Sequence, residues 1–172
     1  GITMQMTDLM SKEQWTELEQ EINATFRVNA CAYDADGFTF TGFKKFANPL
    51  CPEVKAKPEG IQAICSVAHQ NMAAMARTKG RTVVAECDAG LLKICTPIQI
   101  NGTFLGIIGG CGRKPMNGEV DGFVVEKAVG LDEHKCVELA EQVETMEDKE
   151  IEAMVDFLEG RVREILKASP KA

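Results

Sequence analysis

Long hydrophobic runs are absent from this sequence, and its most apolar stretches, such as 104–108, span only a few residues. A helix that crosses a bilayer needs about 20 predominantly apolar residues, so we predict no membrane segment. A secretory signal peptide is not recognisable either. We therefore expect a cytoplasmic domain that has no membrane partner.

Basic charge is scarce as well. The chain has 19 Lys and Arg residues against 26 Asp and Glu residues, which gives a formal net charge of −7. The Lys and Arg residues are scattered along the chain rather than gathered in a stripe. On average, such a chain repels a phosphate backbone, so we predict no nucleic-acid partner.

Short motifs of several enzyme classes are missing. The sequence has no Cys-x2-Cys pair, which excludes a thioredoxin-like redox site, and no Gly-x4-Gly-Lys-Ser/Thr loop for phosphates. Cys65 and His69 could act as a nucleophile and its base, but nothing marks an orienting carboxylate or an oxyanion hole. We therefore expect no enzymatic activity.

Cysteine, in contrast, is abundant. The chain has seven cysteines, an odd number that cannot pair completely, so we expect free thiols or metal ligands rather than a disulfide framework. Five of them lie between positions 51 and 111, namely Cys51, Cys65, Cys87, Cys95 and Cys111. Because no short motif joins them, the fold would have to assemble any site that they share. We assign Cys31 and Cys136 to packing.

Helix and strand patterns alternate along the chain. Ser11 and Gln14 fit a capping box, which predicts a helix from about Ser11 to Ala24. Asn101-Gly102 is the strongest signal for a two-residue hairpin turn. The remaining predicted segments are strands over 26–32 and 38–43, a loop over 44–60, a helix over 61–77, strands over 81–86, 91–100 and 103–108, and helices over 132–143 and 147–166. This order predicts an α+β domain with a five-stranded antiparallel sheet and flanking helices, similar to PAS and GAF sensors.

An ordered set of short motifs carries a family resemblance. The set comprises Trp15-Thr16-Glu17-Leu18, Asp36-Gly37, Phe46, Cys51, Cys65, Cys87-Asp88-Ala89-Gly90-Leu91, Thr96-Pro97-Ile98, Gly102, Leu105-Gly106 and Gly109-Gly110. In these residues the sequence resembles the PocR sensory-domain family. The resemblance implies a PAS/GAF-like module that senses small organic molecules, such as diols and other simple hydrocarbon derivatives, in bacterial signalling proteins. It also implies that the output domain lies elsewhere in a longer chain.

The candidate ligand-binding residues follow in part from this resemblance. It implies Cys51, Cys65, Cys87, Asp88, Gly90 and Cys111, and it shows two departures from the family pattern. Asp88 stands where the family commonly has histidine, and Cys111 stands where it commonly has glutamine. If Cys111 faces the ligand, this chain has gained a soft sulfur there and its ligand can differ from a diol. His69 is added because it shares a helix face with Cys65, four residues earlier.

Thiolate chemistry gives an alternative function. Four sulfur ligands suit zinc or an iron–sulfur cluster, which would make the domain a metal, redox or gas sensor. The predicted ligands are Cys51, Cys65, Cys87 and Cys111, with Cys95 and His69 in reserve. Taken singly, a free cysteine is more often a small buried hydrophobe. An organic-ligand pocket lined by thiols, a metal or cluster site, and simple packing therefore remain open.

Strand register bears on the choice between Cys95 and Cys111. A regular ladder from the hairpin turn pairs Cys95 with Ile108. Cys111 then lies on the opposite face of the sheet. The two thiols would share a site only if Gly109-Gly110 formed a bulge.

Three segments are expected along the chain: an N-terminal segment over 1–10, a PocR-like sensory domain over 11–145 and a C-terminal helix over 146–172. The chain starts with Gly1, and we expect it to be part of a longer protein. Apolar residues of the helix alternate at spacings of four and three, at Ile151, Val155, Leu158, Val162 and Ile165. This coiled-coil pattern predicts a homodimer through the helix, and an amphipathic helix packed on its own domain is the alternative.

Overall fold

The computed structural model describes residues 4–169 of the chain. The helices are α1 (Met6–Leu9), α2 (Lys12–Phe26), α3 (Leu50–Lys55), α4 (Pro58–Gly60), α5 (Ser66–Lys79), α6 (Gly122–Val129), α7 (Glu133–Ala140) and α8 (Asp148–Ala168), with a π-helical turn, Ile61–Cys65, that leads into α5. The strands are β1 (Asn29–Asp34), β2 (Val83–Glu86), β3 (Leu92–Ile100), β4 (Thr103–Cys111), β5 (Lys114–Pro115) and β6 (Thr145–Met146). Within this part of the chain, no helix has the length and apolar character needed to span a membrane.

The main sheet has four antiparallel strands in the order β1-β4-β3-β2, and β5 and β6 form a separate parallel pair. The α+β class is therefore confirmed, but the five-stranded count is wrong. The segment 38–43, predicted as a strand, contributes only an isolated bridge between Tyr33 and Thr39. Gly42 has a φ of +81°, and Phe40 and Phe43 pack against the core, so this segment leaves the ladder after one residue.

Local sequence signals set the start of α2 and the turn between β3 and β4. The Ser11 hydroxyl accepts a hydrogen bond from the Gln14 amide at 3.1 Å, and the Gln14 side chain accepts one from the Ser11 amide at 2.9 Å. This reciprocal pair is the predicted capping box. Asn101 and Gly102 have φ values of +50° and +80°, as a tight hairpin turn requires. Both predictions are confirmed.

One face of the sheet is covered by α2 and α8. Their buried side chains, including Trp15, Ile22 and Leu158, form a single cluster with sheet residues such as Ile94 and Ile108. Burial of large apolar side chains of this kind contributes roughly 1.5–3 kcal/mol each. This face is therefore the main core of the domain, and on the opposite face α5 packs against Cys95 and Ile107 beside the candidate site.

The apolar stripe of α8 lies in this core. Leu158, Val162 and Ile165 are buried there, and Ile151 and Val155 pack against its edge. The stripe therefore packs on its own domain, as the second interpretation of the helix predicts. A homodimer through α8 stays a prediction, and it would have to use the other face of the helix.

The register of β3 and β4 differs from the regular ladder. Gln99 pairs with Phe104 but Ile98 pairs with Gly106, which leaves Leu105 as an extra residue in a bulge. A bulge of one residue reverses the alternation of side chains beyond it. Cys95 therefore pairs with Gly109 instead of Ile108, and it lies on the same face as Cys111. The predicted separation of these two thiols is wrong, because the bulge lies near the turn rather than at Gly109-Gly110.

Candidate functional site

The second face of the sheet carries two cross-strand rows of polar side chains. In one row, Asn29 of β1 and Lys93 of β3 flank Cys111 of β4. In the next row, Cys31 and Cys95 flank Gly109. Gly109 contributes no side chain, and it lines a cavity together with both thiols.

Two adjoining cavities lie over these rows. The larger has a volume of about 280 Å³ and is lined by both rows together with the segment from Gly42 to Phe46. The smaller has a volume of about 50 Å³ and is lined largely by apolar side chains. Five residues line both cavities, namely Asn29, Tyr33, Lys55, Lys93 and Cys111. The two spaces are therefore neighbouring parts of one concave region.

The four thiols predicted as a group all line the smaller cavity: Cys51, Cys65, Cys87 and Cys111. They come from four separate elements, which are α3, the π-helical turn, the loop after β2, and the end of β4. Cys95 and Cys31 line only the larger cavity. The assignment of Cys31 to packing alone therefore misses its place at the cavity wall.

Asn48 positions Cys51 at the start of α3. Its side-chain oxygen accepts hydrogen bonds from the Leu50 and Cys51 amides, both at 2.8 Å. Its amide group donates to the Gly112 carbonyl at 2.7 Å and to the Cys51 sulfur at 3.3 Å. One buried side chain thus fixes the first turn of α3 against the end of β4, beside Cys111.

A tight turn positions Cys87. The Cys87 amide donates to the Leu91 carbonyl at 2.8 Å, and the Gly90 amide donates to the Cys87 carbonyl at 2.9 Å. Gly90 has a φ of +86°, and a Cβ there would collide with the Glu119 carbonyl oxygen. Asp88 is exposed, and neither Asp88 nor Gly90 lines either cavity. Gly90 shapes the turn, and Cys87, Ala89 and Leu91 are its residues that reach the cavity wall.

His69 lies beside the site rather than in it. Its ring stacks on Tyr33 with 3.9 Å between ring centroids, and it lines neither of the two cavities. The ring is buried, and its Nδ1 atom has no hydrogen-bond partner among the described residues. Burial, with the nearby charge of Lys93, lowers the pKa of His69 to about 4. His69 is therefore neutral at physiological pH and supports Tyr33.

Burial controls the protonation of the thiols. It raises the pKa of Cys51 to about 12 and the pKa of Cys95 to about 11. The pKa values of Cys65 and Cys87 are raised for the same first reason. Proximity to Cys111 raises each of these four values further. At neutral pH the thiols around Cys111 are protonated and uncharged.

Lys93 is the charged group at the centre of the site. Its side chain is 7% exposed, and its ammonium lies 5.4 Å from the centroid of the Tyr33 ring. Burial alone lowers the pKa of Lys93, but attraction to Tyr33, Cys111 and Cys95 in their ionised forms more than offsets this effect, so the pKa is raised. Burial also raises the pKa of Tyr33. The site therefore places a buried lysine between a phenol and several thiols.

The predicted metal ligands do not form a ligand set as they stand. Over residues 4–169, no three His, Cys, Asp or Glu side chains are grouped so as to hold a metal ion. A metal or cluster site thus stays a prediction, with no preformed group of three ligands among the described residues.

Sequence reasoning missed four polar residues that line both cavities: Asn29, Tyr33, Lys55 and Lys93. A signal existed for Lys93, because it is the only charged residue within the apolar strand 92–100. Tyr33 and Asn29 alternate with buried Ala30 and Ala32 in β1, which marks them as facing the other side of the sheet. That pattern could have placed both of them with Lys93.

The arrangement is that of a binding site with a few convergent polar groups in an apolar setting. A profile described as the sensory domain found in PocR matches residues 8–169, which is nearly the whole chain. No curated protein and no solved structure gives a significant match. The chain therefore belongs to the family of PocR sensory domains, the family that its motifs resemble.

Proposed function

We propose that this domain binds a small organic molecule in the two adjoining cavities and signals its presence through α8. The observation that carries the proposal is the concave region around Cys111, where thiols from four elements meet the buried ammonium of Lys93. Membership of a sensory-domain family supports a role in ligand sensing. The domain needs no chemistry on the ligand for this role.

The size of the cavities supports a small ligand. An engineered apolar cavity of about 150 Å³ binds benzene, so the larger cavity, at about 280 Å³, has room for a molecule of about ten non-hydrogen atoms. Its wall offers hydrogen-bonding groups from Asn29, Tyr33 and Lys93 beside apolar and thiol surface. This mixture suits a diol or another simple hydrocarbon derivative of the kind that the family resemblance implies.

An ion pair between a buried arginine and a half-buried glutamate connects the site to α8. Arg113 follows Cys111 by two residues and is 2% exposed. Its guanidinium donates to both carboxylate oxygens of Glu150, in the first turn of α8, at 2.7 and 3.2 Å. A ligand that moves the end of β4 would therefore move the start of α8. We propose that the ligand favours one of two arrangements of this joint, and that the output follows from their relative populations.

Ligand-induced stabilisation tests the proposal. Thermal unfolding and native mass spectrometry are measured with panels of short-chain alcohols, diols, amides and carboxylates. A ligand at a hundred times its dissociation constant stabilises the folded state by about 2.7 kcal/mol, which corresponds to a rise in Tm of about 5–11 °C for a chain of this size. We expect at least one series to give such a rise and a one-to-one complex.

Two cysteine variants locate the binding site. Cys111→Phe fills the junction of the cavities and is expected to abolish the rise in Tm. Cys136→Ala removes a buried thiol that lines neither cavity, so it is expected to bind as the wild type does. Equal binding by Cys111→Phe and the wild type would place the ligand elsewhere and contradict the proposal.

The metal or cluster alternative has its own test. Protein purified without oxygen is examined for metal content and for visible absorption. Because the described residues contain no preformed group of three ligands, we expect colourless protein with far less than one equivalent of zinc or iron. Stoichiometric metal that is lost in Cys87→Ser would instead favour a metal or iron–sulfur sensor.

The cytoplasmic location and the homodimer stay predictions, and light scattering at several protein concentrations tests the dimer.

A further inference from the structure

Four lysines line the larger cavity, namely Lys44, Lys45, Lys55 and Lys93. Among the residues described, no Asp or Glu lines either cavity. The whole chain carries a net charge of −7, so this concentration of positive charge runs against its composition. Such a lining focuses a positive potential in the cavity and attracts anions.

Lys93 is the lysine that most needs a negative partner. It is buried, and none of the ion pairs or hydrogen bonds within residues 4–169 joins its ammonium to a carboxylate. A buried charge is costly unless it is paired and hydrogen-bonded. The Tyr33 ring provides only a cation–π contact at 5.4 Å.

The smaller cavity is suited to the other end of a ligand. Its wall includes Leu50, Val54, Ile64 and Leu91, and it adjoins the larger cavity at Lys93. Its volume of about 50 Å³, against about 150 Å³ for a cavity that holds benzene, leaves room for about two carbon atoms. The two cavities together thus offer a positively charged end and a short apolar end.

We infer that the ligand is a small organic anion, a carboxylate with a short apolar chain, whose carboxylate pairs with Lys93 and whose chain enters the thiol-lined cavity. The inference rests on the proposed function and narrows its ligand class. The ligand supplies the negative charge that the protein does not place beside Lys93. Lys55, which is half-buried at the same junction, adds a second positive charge.

Calorimetric titration with matched compounds tests the inference on the wild-type protein. Propionate, butyrate and valerate are compared with the primary amide and the 1,2-diol of the same chain length. Loss of a hydrogen bond between charged groups commonly weakens binding at least tenfold, so each carboxylate is expected to bind at least tenfold tighter than its amide. Methylphosphonate and inorganic phosphate form a separate arm. Tighter binding of either phosphorus oxyanion than of every carboxylate would overturn the carboxylate assignment.

Lysine variants provide the matched controls. Lys93→Met keeps the length of the side chain and is expected to weaken carboxylate binding at least tenfold, and Lys55→Met is expected to weaken it by a smaller factor. Lys135→Met removes the same charge from an exposed site on α7 and is expected to stay within twofold of the wild type. Circular dichroism checks that each variant is folded, and the carboxylate–amide comparison needs no variant.

The outcomes separate the inference from the proposed function. If amides or diols bind the wild type as tightly as carboxylates do, the anionic ligand is wrong, while ligand binding in the cavities stands. Unchanged carboxylate affinity in Lys93→Met would likewise overturn the pairing with Lys93. Failure of every compound in every series to bind would contradict the proposed function as well.

Discussion

Replacement of Arg113 by methionine tests the joint between the site and α8. Arg113 donates to the Phe26 carbonyl at 2.9 Å, to the Thr145 carbonyl at 2.6 Å, and to both oxygens of Glu150. Removal of one partner from a buried ion pair commonly costs about 3–5 kcal/mol. Because the Glu150 side chain is 35% exposed and water can reach it, we expect the lower part of this range, about 3 kcal/mol.

The assay is urea and thermal unfolding followed by circular dichroism. For a chain of this size, a loss of about 3 kcal/mol lowers Tm by about 6–12 °C. Arg161→Met is the matched control, because Arg161 pairs with Glu21 while the two side chains are 36% and 43% exposed. An exposed pair contributes about 0–1 kcal/mol, so the control is expected to change Tm by no more than about 4 °C. Equal effects of the two substitutions would refute the assigned role of Arg113.

Three further predictions concern the site and its surroundings. The pKa of His69 falls from 6.5 to about 4 on folding, so its contribution to stability is complete above pH 6.5 and is lost as the pH falls towards 4. This loss amounts to about 2–3 kcal/mol in pH-dependent urea unfolding, and it should be missing in His69→Phe. Gly109→Ala places a Cβ against the Ile94 carbonyl oxygen and should cost about 1–3 kcal/mol, whereas Gly160→Ala, on α8, should stabilise the fold by up to about 1 kcal/mol. Cys51 should react with iodoacetamide at pH 7 far more slowly than an unfolded cysteine peptide, as mass spectrometry can measure, because burial raises its pKa to about 12.

Local chemistry made parts of the fold predictable. The capping box at Ser11 and Gln14 and the turn at Asn101 and Gly102 depend on residues that are close in sequence, and both appear as predicted. The antiparallel pairing of β2, β3 and β4 also follows from short loops and alternating apolar residues. These features require no knowledge of distant contacts.

Register could not be predicted in the same way. The extra residue of the bulge, Leu105, lies in the apolar run 104–108. Apolar and polar residues do not alternate in this run, so the sequence gives no sign of the shift in register. Its consequence is large, because it brings Cys95 to the same face as Cys111. The failure of 38–43 to form a strand has a similar origin, since the packing of Phe40 and Phe43 against the core competes with strand pairing.

The candidate site was predictable only through its thiols. The motif resemblance identified Cys51, Cys65 and Cys87, and the structure places all three with Cys111 around one cavity. The charge of the site was not predicted, because it depends on Lys55 and Lys93, which lie on α3 and β3 and meet only in the folded chain. The composition gave no indication of a positively charged site, since the chain as a whole is acidic.

The most direct test of the central claim is a crystal structure of the chain with the tightest-binding compound of the titration series. The account predicts electron density for that compound in the adjoining cavities, with its polar end within hydrogen-bonding distance of the Lys93 ammonium and its apolar end beside Cys51, Cys65 and Cys111. Density for the compound at any other place on the domain, with only water in the cavities, would contradict the account.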